Sequence, residues 1–149
     1  MRILALDLAT HCGFSHSCGE SGCFDLSIKK DESSGMRLIR FRGKLNEMKS
    51  AVGVDLVVYE TALQMPGVRA GFAVASELQG VLKVWCEDNR VDFKPYSPTA
   101  IKKHATGKGN ANKAKMIEAA QKKWRRVFTD DNEVDARFLL DLAKKDLGL

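Results

Sequence analysis

Three acids in this chain stand where a carboxylate has to be explained. Asp7 closes the apolar run Ile3-Leu4-Ala5-Leu6, Glu60 closes Leu56-Val57-Val58-Tyr59, and Asp135 lies about one turn into the last helical stretch. An acid at the end of a strand is often only a turn former, and Asp130-Asp131 favour a helix N-terminus by charge alone. Two acids closing two buried strands are harder to dismiss, because an unpartnered carboxylate taken out of water is costly. A divalent cation removes that cost, and carboxylate oxygens are the hard ligands that Mg²⁺ or Mn²⁺ takes. Two such ions roughly 4 Å apart can serve both the attacking and the leaving oxygen of a phosphodiester.

A second segment handles phosphate. Between Ser97 and Lys113 lie Lys102, Lys103, Lys108 and Lys113, together with Gly107 and Gly109. The glycines allow close backbone approach to a ligand. The lysines supply charge, and a helix beginning near Asn112 turns its positive end toward the same loop. The Gly-Lys-Gly lacks the Gly-Lys-Ser/Thr ending of a nucleotide-binding loop. A net charge of +5 suits a polyanionic partner without naming one. Lys122, Lys123, Arg125 and Arg126 extend the basic surface.

The elements that must position these residues can be read from pattern. Arg2–Leu8, His11–His16 and Gly22–Ile28 read as three strands of a meander, with Gly19-Glu20-Ser21-Gly22 as a turn. After a polar loop, Met36–Val52 suits a helix stopped by Gly53. Asp55–Tyr59 is a strand, Gly67–Gly71 a loop or helix entry, Phe72–Asn89 a helix and Val91–Tyr96 a strand, with Ser97 placed to cap the next segment. His104–Asn112 reads as a loop and Ala114–Val127 as a basic helix. Thr129 or Asp130 caps a final helix over Val134–Leu147, with Glu133 spaced for a capping box. Hairpins first, then alternating helices and strands, predict a mixed sheet with helices on both faces.

These motifs resemble the RuvC family of Holliday junction resolvases. Ile3-Leu-Ala-Leu-Asp7-Leu-Ala-Thr-His-Cys-Gly13-Phe is similar to the family opening, Val57-Val-Tyr-Glu60 to its second acidic motif, and Asp131-Asn-Glu-Val-Asp135-Ala136 to its final helix. Pro98, Ile101-Lys102, Gly107-Lys-Gly109 and Ala111-Asn-Lys113 follow the family order. The resemblance implies a ribonuclease H-like α/β fold with a five-stranded mixed sheet, one nuclease domain over residues 1–149. It implies a crossover junction endonuclease that holds two Mg²⁺ or Mn²⁺ ions on Asp7, Glu60, Asp135 and Asn132, and leaves 5′-phosphate and 3′-hydroxyl ends. Family members carry Asp or His where this chain has Asn132, so Asp131, one turn before Asp135, is the other candidate for that place. The resemblance assigns Lys102 and Lys113 to DNA binding or phosphate charge, with Lys103, Lys108, Gly107 and Gly109 beside the backbone. Branched DNA and a second copy of the chain are the implied partners.

Where the family sets an aromatic wedge, this chain has Leu63, Gln64 and Met65, which leaves open a nuclease acting on branched or flapped DNA in general. A non-catalytic DNA-binding module on the same fold is the other alternative, favoured by Asn132. The length suits a phage or prophage member. Four cysteines without a C-x-x-C pair, no secretory leader and no membrane-length apolar run predict a reduced cytoplasmic protein of a bacterial or phage-infected cell. His11 and His16 are expected in structural or surface roles, His104 is open, and Trp85 and Trp124 are expected to pack.

Overall fold

The structure, a computed structural model, describes residues 1–62 and 69–149, with the backbone alone at 69 and 70. The sites of the missing wedge and of Gly67 lie outside the described residues. The order is β1 (Ile3–Asp7), β2 (His11–His16), β3 (Ser21–Asp25), α1 (Gly35–Val52), β4 (Leu56–Glu60), α2 (Arg69–Asn89), β5 (Asp92–Tyr96), α3 (Pro98–Thr106), α4 (Lys113–Trp124) and α5 (Asp131–Asp146). The strands form one five-stranded sheet in the order β3-β2-β1-β4-β5. The β1–β2 and β2–β3 pairs are antiparallel, and β1–β4 and β4–β5 are parallel. This is the expected mixed α/β sheet. Pro95 is tolerated in β5 because that strand is an edge.

Strand alternation divides the core in two. Leu4, Leu6, Val57 and Tyr59 pack against Phe41, Leu45 and Met48 of α1 and Leu78, Leu82 and Trp85 of α2. Ile3, Ala5, Leu56 and Val58 face the other way, onto Ile101 of α3, Met116 and Ala120 of α4, and Val134, Phe138 and Leu139 of α5. Helices therefore cover both faces. Among the described residues no helix is long and apolar enough to cross a membrane, and all four cysteines are free.

Several boundaries differ from the sequence reading: β3 ends at Asp25 instead of Ile28, α2 begins at Arg69 instead of Phe72, and three differences lie nearer the site. Helix α3 runs through His104, Ala105 and Thr106, which the glycine-bearing stretch had suggested were loop. Ser97 Oγ accepts the Ala100 N–H at its start, and Gly107, at φ 84°, closes its end by donating to the Lys103 carbonyl. With both ends capped, nine residues suffice. Helix α4 stops at Trp124 instead of Val127, because Arg125 adopts a left-handed backbone at φ 53°. Helix α5 begins at Asp131, one turn before Val134, with the Asp130 side chain accepting from the Asn132 N–H.

Candidate active site

Parity and register bring the first two acids together. Asp7 continues the face of Ile3 and Ala5, and Glu60 continues that of Leu56 and Val58. Leu6 lies opposite Tyr59 in the parallel pairing, so the next residues, Asp7 and Glu60, end adjacent strands side by side. Both carboxylates thus emerge on the face that α5 crosses. Gly13, opposite Asp7 on β2, lets α5 come close: a Cβ built there would stand 1.9 Å from the Asn132 carbonyl oxygen. The first turn of α5 rests on bare strand backbone, and Asp135 is carried over the two strand ends.

Burial raises all three acids, and like charge adds to it at Asp7 and Asp135. Asp7 is 8% exposed. Its carboxyl lies well above the usual range, first because it is buried, then because of the charges of Glu60 and Asp135, a hydrogen bond with Glu60, and Asp131 farther off. Burial also raises Glu60, against the bond to Asp7 and the Lys102 charge. Asp135 is pushed up to about 7 by burial, then by Glu60 and Asp131, with Lys102 and Lys113 opposing. Two adjoining buried carboxylates resist ionising together, which is why the charge of Glu60 raises Asp7 further.

Two lysines border the acids. Lys102 is half-buried on α3, and its charge acts on both Glu60 and Asp135. Lys113 opens α4 with its Nζ 3.4 Å from Asp131 Oδ2 while most of its side chain is in solvent. The charge of Asp131 acts on both Asp7 and Asp135. Asn132 lines a shallow crevice with His11, Cys23, Asp25 and Asp130, a crevice that Asp131 borders too. Among the described residues no group of three or more His, Cys, Asp or Glu side chains is arranged so that it could hold a metal ion as it stands. The donor set still fits a hard divalent cation: the ligating atoms are all oxygen, and the carboxylates repel one another in a way that bound positive charge would relieve.

The comparisons with known proteins agree on architecture. The chain is similar to the Thermus thermophilus RuvC structure over 99% of its own length and 97% of that chain, with a TM-score of 0.75 and 15% sequence identity. It is equally similar to T. thermophilus RuvC in complex with Holliday junction substrate, over 99% and 94% of the two chains, at a TM-score of 0.76 and 15% identity. The fold is that of RuvC. The yeast mitochondrial Holliday junction resolvase Ydc2 also matches, at a TM-score of 0.60 and 13% identity over 95% of this chain and 78% of that one. No family model matches the sequence, and no curated protein does.

On this RuvC fold the remaining candidates take definite places. Gly107 is the left-handed cap of α3, and Gly109 leaves room for Thr99, whose Cγ2 would be 2.6 Å from an added Cβ. Gly107 thus has a backbone reason of its own and Gly109 a packing one. Lys103 and Lys108 are exposed. Lys108 lies on the rim of a groove of about 450 Å³ between the end of α3 and α4, with Asn110, Asn112, Lys115 and Lys122.

Glu133 has the spacing of a capping box and does another job. Its Oε2 accepts from Ser21 Oγ at 2.6 Å and Arg126 Nη2 at 2.9 Å, with Arg137 Nε at 3.4 Å. Three donors outcompete the single backbone N–H it would have capped. Buried His16 donates from Nε2 to the Gly53 carbonyl and accepts the Cys18 N–H at Nδ1, a structural role, while His11 lies exposed beside Asp25. Trp85 is buried with its indole N–H on Asn46, and Trp124 packs on Phe138. His104 turns inward to Asp141. The sequence reading did not single out Asp141, whose only mark was its place inside the apolar run Phe138-Leu139-Leu140 and Leu142.

Proposed function

We propose that this chain is a metal-dependent endonuclease that resolves Holliday junctions by hydrolysing phosphodiesters. The observation that carries the reading is the meeting of Asp7, Glu60 and Asp135 at the ends of β1 and β4 and the start of α5, with Lys102 and Lys113 on their border. The likeness to RuvC bound to a Holliday junction substrate supports junction DNA as the ligand. Asp7, Glu60 and Asp135 would hold Mg²⁺ or Mn²⁺, two ions per site, with Asn132 or Asp131 completing the set. Bound metal would supply Lewis acidity and lower the pKa of water.

The chain's own residues do the rest. Asp7 and Glu60, fixed by strand register, set where the scissile phosphate is presented. Asp135 arrives from a separate element, so the set closes only when α5 is seated on Gly13. Lys102 and Lys113 neutralise charge that builds on the phosphoryl oxygens as the bond breaks to 5′-phosphate and 3′-hydroxyl ends. Lys103 and Lys108 contact backbone phosphates, with the groove beside Lys108 taking one DNA arm and the loop at Gly107 and Gly109 as the ridge between.

The chain acts as one nuclease domain, in the cytoplasm, as a homodimer that presents two sites to a two-fold substrate. The outer side of α2 supports that pairing: Val84 is 63% exposed, and Gly80 beside it is open, next to an apolar crevice lined by Leu38, Val81 and Trp85. A nuclease acting on branched DNA more widely is the second reading, favoured by the lack of an aromatic among Leu63, Gln64 and Met65.

Synthetic four-way junction, flap and linear duplex substrates separate these readings. The expected result is paired symmetric nicks in the junction with Mg²⁺, none with chelator, and none from Asp7→Asn, which still binds. Equal cutting of flaps would favour the wider reading. Binding without cutting in Mg²⁺ or Mn²⁺ would leave a DNA-binding module.

A further inference from the structure

His104 and Asp141 belong to neither the carboxylate site nor the phosphate-contacting lysines, and nothing in the proposed chemistry uses them. His104 Nε2 is 2.7 Å from Asp141 Oδ2, and Lys123 Nζ is 2.5 Å from the same oxygen. The His104 side chain is 14% exposed and that of Asp141 29%. One carboxylate oxygen thus ties α3, α4 and α5 together. These are the helices that carry Lys102, Lys113 and Asp135.

The three helices also meet through one apolar cluster. Helix α3 has nine residues, and Ile101 is the one fully buried side chain it contributes. Burial is non-directional, so the apolar contacts of Ile101 and the partly buried Ala105 define the rotation of a short helix less sharply than a hydrogen bond does. A hydrogen bond is directional, and one with a charged partner is stronger than a neutral one. Lys102, two residues before His104, is near enough for its charge to act on Glu60 and Asp135, and its position follows that rotation. Asp141 sits six residues after Asp135 on the same helix, roughly 9 Å along the axis.

We infer that Asp141 is a positioning residue for the cleavage reaction: through His104 it sets the rotation of α3 and so holds Lys102 over the carboxylate site, while Lys123 steadies the Asp141 carboxylate from the other side. The inference rests on the nuclease reading for its rates but not for its geometry. Burial alone would raise the proton affinity of Asp141, and the bonds from Lys123 and His104 more than reverse it, which agrees with a carboxylate ionised in place.

The test is a double-mutant cycle in single-turnover cleavage of a four-way junction at saturating full-length protein. Asp141→Ala should slow cleavage ~10- to 100-fold, the size seen when a reacting group is misplaced by about 1 Å. The junction Kd should move less than about threefold, because the distributed phosphate contacts persist. In a Lys102→Ala background the same change should cost less than about twofold, since the residue it positions is gone. A full-sized loss in that background would overturn the inference, as would an unchanged rate in the single variant.

A second measurement needs no cleavage. In DNA-free protein, the side-chain NMR signal of Lys102 should shift on Asp141→Ala while that of the distant, exposed Lys83 does not. An unmoved Lys102 signal would also overturn the inference. If the wild type cuts no branched DNA, the nuclease reading falls and the Lys102 signal still decides the positioning claim. Should Asp141→Ala fail to fold, His104→Phe removes only the α3 arm and carries the same expectations in both measurements.

Discussion

The two faces of the sheet start from the same strands and end differently. Toward α1 and α2, Leu4, Leu6 and Leu8 of the first strand region and Val57 and Tyr59 of β4 lie in a continuous apolar layer. Toward α3, α4 and α5 the alternate residues begin as Ile3, Ala5, Leu56 and Val58 and finish as Asp7 and Glu60. Alternation alone decides which face receives the acids. One face can be packed for stability, and the other gives up its last layer to charge. The site is therefore a local interruption of one core that leaves the other intact.

The sharpest way to break that contrast is to remove the charge while keeping the shape. If Asp7 holds metal as proposed, Asp7→Asn should lower junction cleavage at least ~10³-fold, because a ligand and its charge are then lost in the chemical step. Junction binding, measured by gel shift, should remain within a few fold. The fold should be slightly steadier without metal, since Asn does not repel Glu60 and Asp135. Normal cutting by this variant would dismiss the assignment of the site.

Next come substitutions that divide the faces. Leu82→Ala, in the α2 core, should cost about 2–5 kcal/mol of stability, the range for emptying a buried leucine. Rates in the folded fraction should hold. Gly13→Ala should do the opposite in proportion. Its Cβ would meet the Asn132 carbonyl, so α5 must lift, at a cost of about 1–3 kcal/mol for overpacking, with cleavage falling more than ~10-fold as Asp135 leaves its place. Urea melts with single-turnover rates report both effects. Equal rate losses in the two variants would show that the faces are not independent.

How much of this was readable beforehand depends on distance along the chain. Asp7 and Glu60 were legible because each ends an apolar run, and strand parity then fixes their face. The resemblance of Asp131–Ala136 to the RuvC final helix marked Asp135, but its arrival over the strand ends needs the missing Cβ of Gly13, a contact between residues far apart in the chain. Thr106 was misread because Gly107-Lys-Gly109 looks like loop, whereas Gly107 is the cap that allows α3 to finish there. Glu133 had correct spacing for a cap, yet Arg126 and Arg137 come from elements whose closeness no local pattern encodes. The pairing of His104 with Asp141 spans 37 residues and left no local trace.

A smaller effect concerns pH in the metal-free protein. In the folded state Asp135 titrates at about 7, against about 3.9 for an unfolded aspartate. Between those values the native state binds more protons than the unfolded state, so stability falls as pH rises through that window. The raised Asp7 and Glu60 carboxyls act in the same direction. In EDTA the melting temperature should therefore be higher near pH 5 than near pH 8, and Asp135→Asn should flatten the difference. Mg²⁺ should raise Tm more at pH 8, where the carboxylates are ionised, than at pH 5. Leu82 carries no titratable group and lies in the opposite core, so a Leu82→Ala background should leave the slope unchanged.

The smallest expected change sharpens the boundary between chemistry and binding on the charged face. Lys108, Lys115 and Lys122 rim the groove beside α4 and lie apart from the acids that Lys102 and Lys113 border. If the groove carries a DNA arm, each lysine that meets a phosphate releases about one counterion, and its loss lowers the salt dependence of binding by about one unit of slope. Lys115→Ala with Lys122→Ala should reduce the slope of log Kd against log salt by about two, with the single-turnover rate at saturation unchanged. An unchanged slope would confine the DNA path to the ridge at Lys103, Lys113 and Lys102. In that case the face has one polar function, at the strand ends, and the lysines on α4 serve only to keep a basic helix in water.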